Sequence, residues 1–259
     1  MESKGHLNPG AAGVVFDRFD LGLPDLVSHV WVVRWDITRG EISSQRVLTY
    51  PTLNVVFMTF GAVLHGPEQR VITRDLRETG WAVGVMLEPA ATPLLSTSNP
   101  STLVSSTEPL HEAPSDNITR SMASDYNRDE IDVILRAWLK PHADGVNERG
   151  RLMNKGWHTV QDRSDITSVE ELSNALAVSK RSLERLVKDH TGVTPKWLIE
   201  CRRMQHAAIR LFEHPDTDLN MLAAELGFAD QAHFSRRYSK IIGETPDTTR
   251  QAARKRMRN

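Results

Sequence analysis

Two hydropathy patterns divide the chain. From about residue 14 to 90, apolar residues come in short runs rich in β-branched and aromatic side chains: HVWVVRWDI (29–37), RVLTY (46–50), LNVVFMTF (53–60), RVITRDL (70–76) and GWAVGVML (80–87). Gly, Pro, Asn and charged stretches separate them, the punctuation of a β-sandwich or barrel. Residues 90–118 are rich in Ser, Thr and Pro and predict a long loop with one short strand or turn in it.

Beyond residue 118 the period becomes helical. In DEIDVILRAWLK, Asp129 to Lys140, the residues Ile131, Val133, Ile134, Ala137 and Trp138 share one spacing, and Pro141 stops the run. Residues 145–161 allow another helix, and the polar QDRSD (161–165) suits a linker. From Ser168 onward everything reads as helix. Ser168-Val169-Glu170-Glu171 is a capping box, in which the Ser168 hydroxyl accepts from the Glu171 N–H and the Glu171 carboxylate reaches back. A longer helix from Lys196 to Phe212 carries Leu198, Cys201, Met204, Ala208 and Leu211 along one stripe and ends at His214-Pro215.

The helical part contains a repeat. GFADQAHFSRRYSKIIGETP (227–246) lies over VSKRSLERLVKDHTGVTP (178–195), so that Leu183 matches Phe234, Arg185 matches Arg236, Gly192 matches Gly243 and Pro195 matches Pro246. Upstream, Leu172 matches Leu222 and Leu176 matches Leu226 with an offset one residue shorter. The extra residue falls at the turn between paired helices, where an insertion does least harm. Each unit reads as a helix–turn–helix: a short helix of Leu and Ala packs on a second helix. That second helix buries Leu183, Leu186 and Val187 in one copy, and Phe234, Tyr238 and Ile241 in the other. Its opposite face offers Lys180, Arg181, Glu184, Arg185 and Lys188, or Gln231, Ala232, Ser235, Arg236 and Lys240. Arg can fork onto guanine and Gln onto adenine, among residues that grip phosphate. A recognition helix in the major groove needs that face.

Charge supports the division. Residues 166–259 carry 16 Lys and Arg against 12 Asp and Glu, and the preceding residues carry 16 against 21. A basic back and an acidic front suggest modules with different partners. The single cysteine, Cys201, excludes an intramolecular disulfide framework. MESKGHLNPGAAG has no secretory apolar run, and no segment has the apolar length of a membrane span. A soluble cytoplasmic chain with no membrane partner is expected.

With those motifs in hand, residues 160–252 resemble the DNA-binding domain of the AraC/XylS family of bacterial transcription regulators. The resemblance implies two helix–turn–helix motifs joined by one long helix, with both recognition helices entering successive major grooves. Carried over by position, Arg181, Glu184, Arg185, Gln231, Ala232 and Arg236 are the base readers, Ala232 through apolar contact only. Lys180, Lys188, His233, Arg237 and Lys240 are the phosphate contacts. Arg202 and Arg203 suit salt bridges or phosphates, and Tyr238 stands at a core position where its hydroxyl needs a partner. The front half is more weakly similar to the cupin-like sensing domains of that family. It departs from the expected pattern at Glu88 and Ala90, which puts an anion site there in doubt.

The expected fold class is therefore α+β, a β-barrel-like (cupin-like) domain followed by an all-α domain with two helix–turn–helix motifs. The expected divisions are 1–120 (sensing or oligomerisation), 121–163 (helical connector) and 164–259 (DNA binding). Trp31, Trp35, Phe57 and Trp81 are candidates for an apolar ligand pocket, against the alternative that they are core. Ile131, Ile134, Leu135 and Trp138 are candidates for homodimerisation, against packing on their own barrel. Cys201 reads as a buried structural thiol. His29, His65 and His111 lack the His-x-His and Glu spacing of a metal-using cupin, so no metal and no cofactor are expected. The expected function is a sequence-specific regulator responding to a small-molecule effector, with double-stranded DNA as partner and RNA polymerase also if it activates. The alternatives are an effector-independent regulator whose front half only dimerises, and a small-molecule-modifying enzyme fused to a DNA-binding domain. No Ser/His/Asp or Cys/His arrangement and no phosphate-cradling glycine loop stands in the front half.

Overall fold

A computed structural model describes residues 12–47, 50–123 and 126–258. The front half is built of β1 (Val14–Phe19), β2 (Val27–Asp36), β3 (Ser43–Val47), β4 (Asn54–Met58), β5 (Gly61–His65), β6 (Ile72–Leu76), β7 (Thr79–Leu87) and β8 (Thr107–Pro109). Six strands form one sheet in the order β1-β2-β7-β4-β5-β8, and β3 pairs with β6 in a separate ribbon. All pairings are antiparallel. The result is a cupin-like barrel of two unequal sheets, followed by helices.

Side chains alternate across a strand, so the large sheet has two faces. Val30, Val32, Val55, Phe57, Leu64, Val83 and Val85 fill one face and form the core of the front half. Helices α3 (Ser115–Ala123) and α4 (Arg128–Leu139) roof it, with Ile118, Ile131, Leu135 and Leu139 fully buried. Trp138 meets Phe57 edge-on, with ring centroids 5.8 Å apart. This bears on two expectations. Ile131, Ile134, Leu135 and Trp138 pack onto the chain's own sheet, the alternative weighed against a dimer face. Phe57 and Trp81 belong to the same core, because their strand positions turn them away from the other face.

The segment 90–118 holds more structure than a loop. A 3₁₀ turn at Pro89–Ala91, α1 (Thr92–Leu95) and α2 (Pro100–Leu103) precede β8. Pro falls in the first turn of each short helix, where its missing N–H costs nothing, and Asn99 caps α2 by accepting from Ser101 N at 2.9 Å. Likewise LNVVFMTF is one strand and a turn: the chain reverses at Thr59-Phe60 into β5. No Asn-Gly signal marks that turn, and the exposed Phe60 reads as strand.

Helix α5 (Glu148–Asp162) joins the halves through one buried side chain. Asn154 Oδ1 accepts from Ala90 N and its Nδ2 donates to Asp25 O, both at 2.9 Å. Glu88 is buried beside His158, 3.2 Å away, so the loop at Glu88 and Ala90 is a docking point for α5.

The remaining helices are α6 (Val169–Ala175), α7 (Lys180–Thr191), α8 (Pro195–Glu213), α9 (Leu219–Glu225), α10 (Gln231–Ile242) and α11 (Pro246–Arg258). The capping box at Ser168 and Glu171 is formed. The repeat is structural: α6 and α9 have 7 residues each, and α7 and α10 have 12. Ala177 and Gly227 both take positive φ in the turn, and the inserted residue follows.

Phe57→Ala should remove a fully buried ring and cost about 3–5 kcal/mol. Urea unfolding of the front half followed by tryptophan fluorescence would measure it.

Candidate functional site

The two second helices of the repeat are set in the same way. Ser179 caps α7 by accepting from Ser182 N at 3.1 Å, and Asp230 caps α10 by accepting from His233 N at 2.6 Å. Both end on a left-handed glycine, Gly192 (φ 74°) and Gly243 (φ 78°). Leu183, Leu186 and Val187 anchor α7, and Phe234, Tyr238 and Ile241 anchor α10. The Tyr238 hydroxyl finds its partner in Thr249 Oγ1 at 2.7 Å.

What remains outward is the predicted face. Lys180, Arg181, Glu184, Arg185 and Lys188 are exposed on α7, with Lys180 paired to Glu170 at 2.9 Å. On α10, Ala232, His233, Arg236 and Lys240 are exposed, and Gln231 is half-buried. His233 also stacks edge-on against Phe228 at 5.3 Å. Arg181, Arg185 and Arg236 have no ion pair among the described residues. Arg237 is a correction: its guanidinium is held by both oxygens of the buried Glu200 on α8, so it clamps two helices and is not free for phosphate. Arg202 donates to Gln161 O, while Arg203 donates to Leu226 O and lies 4.1 Å above the Phe228 ring. Both serve packing. Cys201 is fully buried in α8, and burial pushes its thiol up to about 12.

The second face of the large sheet is a different surface. With the β3–β6 ribbon opposite, it encloses a cavity of about 590 Å³. Trp31 and Trp35 line it as anticipated; Phe57 and Trp81 do not. Trp31 pairs across the ladder with Gly84, and Trp35 with Gly80. The indoles sit directly over those glycines: an added Cβ would lie 1.9 Å from Trp31 Cε2 and 2.3 Å from Trp35 Cζ2. The cavity floor therefore exists because β7 carries glycine there.

One end of the cavity is polar. His29, Met86, Asn54, His65 and Thr107 stand in register across β2, β7, β4, β5 and β8 and all line the space. Burial, then the nearby Arg74 guanidinium, holds the His65 imidazole below its usual pKa. Asn54 Oδ1 is shielded and has no hydrogen-bond partner among the described residues. Among the described residues, no three His, Cys, Asp or Glu side chains are grouped to hold a metal ion. No helix there is long and apolar enough to cross a membrane.

Comparison with known proteins places these two sites in separate families. A helix-turn-helix domain family matches residues 172–252, and a domain of unknown function (DUF6597) matches residues 20–109. The HTH-type transcriptional activator RhaS of Escherichia fergusonii is 31% identical over 131 residues, covering 50% of this chain and 39% of that protein. RhaS of Pectobacterium atrosepticum is 32% identical over 115 residues, covering 44% and 40%. The chain thus spans about two-fifths of the length of these curated relatives. Among solved structures, the C-terminal domain of AraT, a response regulator from Geobacillus stearothermophilus, aligns at 24% identity over 41% of this chain and 88% of that chain, with TM-score 0.36. ToxT from Vibrio cholerae aligns at 12% identity over 92% and 99%, with TM-score 0.42.

If Arg237 is structural, Arg237→Ala should cost about 2 kcal/mol of stability through lost charge-assisted hydrogen bonds. Lys188→Ala should change stability by less than about 0.5 kcal/mol. Thermal unfolding of both variants separates the roles.

Proposed function

We propose that this member of the AraC/XylS family of transcription regulators binds a specific double-stranded DNA site with α7 and α10 and answers to a small molecule held in the barrel. One observation carries the DNA reading: the repeat presents an exposed arginine without an ion pair among the described residues, Arg185 or Arg236, at the same position of each recognition helix. Arginine paired within the protein would lose desolvation and Coulomb energy on turning to a base. These two are free to fork onto guanine O6 and N7. Arg181, Glu184, Gln231 and Ala232 flank them as further base readers. Lys180, Lys188, His233 and Lys240 contribute phosphate attraction, which is what makes such binding salt-dependent.

The proposed parts are a β-rich sensing part to about residue 120, a helical connector to 163 and a DNA-binding part beyond. The cavity favours an effector over a front half that only holds copies together, since the helix anticipated for self-association is occupied by its own core. The RhaS relatives are named activators. By that likeness the protein would act on RNA polymerase at its promoters.

Selection from a random duplex pool should recover two short motifs with centres about 10–10.5 base pairs apart. Arg185→Ala and Arg236→Ala should each cost about 1–3 kcal/mol of specific binding and relax one base position. Gel-shift titration against the selected site measures both. Parental affinity and selectivity in either variant would remove that residue from the interface.

A further inference from the structure

We propose that the cavity takes a neutral, flat aromatic molecule carrying a hydroxyl group. This rests on the reading of the front half as a sensing domain. The floor is made of two indoles seated over glycines, Trp31 on Gly84 and Trp35 on Gly80, and ring faces stack on ring faces. The polar end offers Asn54, Thr107, His29 and His65, whose imidazole burial and Arg74 hold below its usual pKa. The charged lining is one guanidinium, Arg74, with two carboxylates, Glu68 and Asp75, so the cavity carries no net positive charge to draw in an anion. A charged head would lose its water for a cation and anions that already offset one another. The unpartnered Asn54 Oδ1 asks for a donor. A hydroxyl both donates and accepts, so it satisfies a carboxamide in either orientation.

Equilibrium dialysis of the full chain with 2-naphthol, 2-methoxynaphthalene, 2-naphthoate and 2-naphthylmethylammonium tests this. We expect 2-naphthol to bind at least tenfold tighter than the other three. Asn54→Leu, or Asn54→Ala if the first fails to fold, should reduce 2-naphthol to the level of its methyl ether and leave the ether unchanged. The inference is overturned if the carboxylate or the ammonium binds as well as the naphthol, if glucose displaces it, or if none binds. DNA selection with the same preparation reports independently on the regulator reading. A selected site without aromatic binding rejects the ligand class alone.

A separate set of contacts supports a second inference: the β3–β6 ribbon is a strut that sets the second recognition helix. Along β3, Gln45 and Val47 face the cavity, while Arg46 between them faces the helices. Arg46 donates to Ile242 O at 2.6 Å, the carbonyl end of α10, and pairs with Glu244. Glu244 in turn accepts from Thr249 at 2.5 Å, and Thr249 bonds the core Tyr238 hydroxyl. Beside it, Val71 N donates to Ile241 O at 2.9 Å, and Val71 packs into the α8–α10 core. One two-stranded ribbon is thus both cavity wall and socket for α10.

The test inserts one base pair between the two half-sites of the selected DNA. The parent should lose affinity, and in Arg46→Ala that loss should shrink at least threefold. Glu244→Gln approaches the contact from its other side, and the double variant should do no more than either single one. Parental spacing penalties in both variants would overturn the strut. Failure of the parent to select any site would overturn the DNA reading on which it rests.

Discussion

The two second helices of the repeat, α7 and α10, both end against the front half, and each does so at its C-terminal glycine. Gly192 closes α7 in a left-handed conformation, and an added Cβ would lie 2.2 Å from Pro100 O at the start of α2. Gly243 closes α10 in the same conformation, one residue from the carbonyl that Arg46 holds. A helix C-terminus carries partial negative charge and unsatisfied carbonyls. A guanidinium there is favourable on both counts. The orientation of the outward faces therefore depends on how α2 and the β3–β6 ribbon are placed, and these are parts of the barrel.

The barrel can carry that dependence because its large sheet is asymmetric. One face is dry core under α3 and α4, sealed by Phe57 and Trp138. The other carries a thinner apolar lining of Val33, Val56 and Ala82 with the two indoles, and then open space. Change is cheap on the second face and expensive on the first. Overpacking or emptying a close-packed core costs several kcal/mol, while an open cavity has room both for an occupant and for a shift of its wall.

Much of this was legible in the residues. The repeat was legible because Leu, Arg, Gly and Pro recur at fixed offsets and each has one physical task there: core, outward charge, left-handed cap, helix start. Most strands were legible from β-branched runs, but no run marked β1 or β5, and the run at 46–50 meets β3 only at Arg46 and Val47, with residues 48 and 49 outside those described. The pocket was only half legible. Trp31 and Trp35 share a parity within one strand, but Phe57 and Trp81 stand on other strands, and which parity faces inward is set by register across the sheet. Helix α4 showed an apolar stripe but not its partner. Arg237 looked like its basic neighbours, since only the fold brings Glu200 to it from 37 residues away. Arg46 gave no signal at all, being one charge in an edge strand.

The ribbon's thinness is what gives it leverage. A two-stranded antiparallel pair is marginal in isolation, and Thr73, Arg74 and Asp75 of β6 are exposed. It borders the cavity on one side and is held by α10 on the other. An occupant can move such an element only by as much as its affinity differs between the element's two placements. Elements with few buried contacts lie at the low end of local stability, so a modest difference suffices. The same contact energy applied to the α3–α4 face would be spread over a rigid core and reach neither recognition helix. On the proposed function, a path from barrel to DNA would therefore run through the two-stranded ribbon.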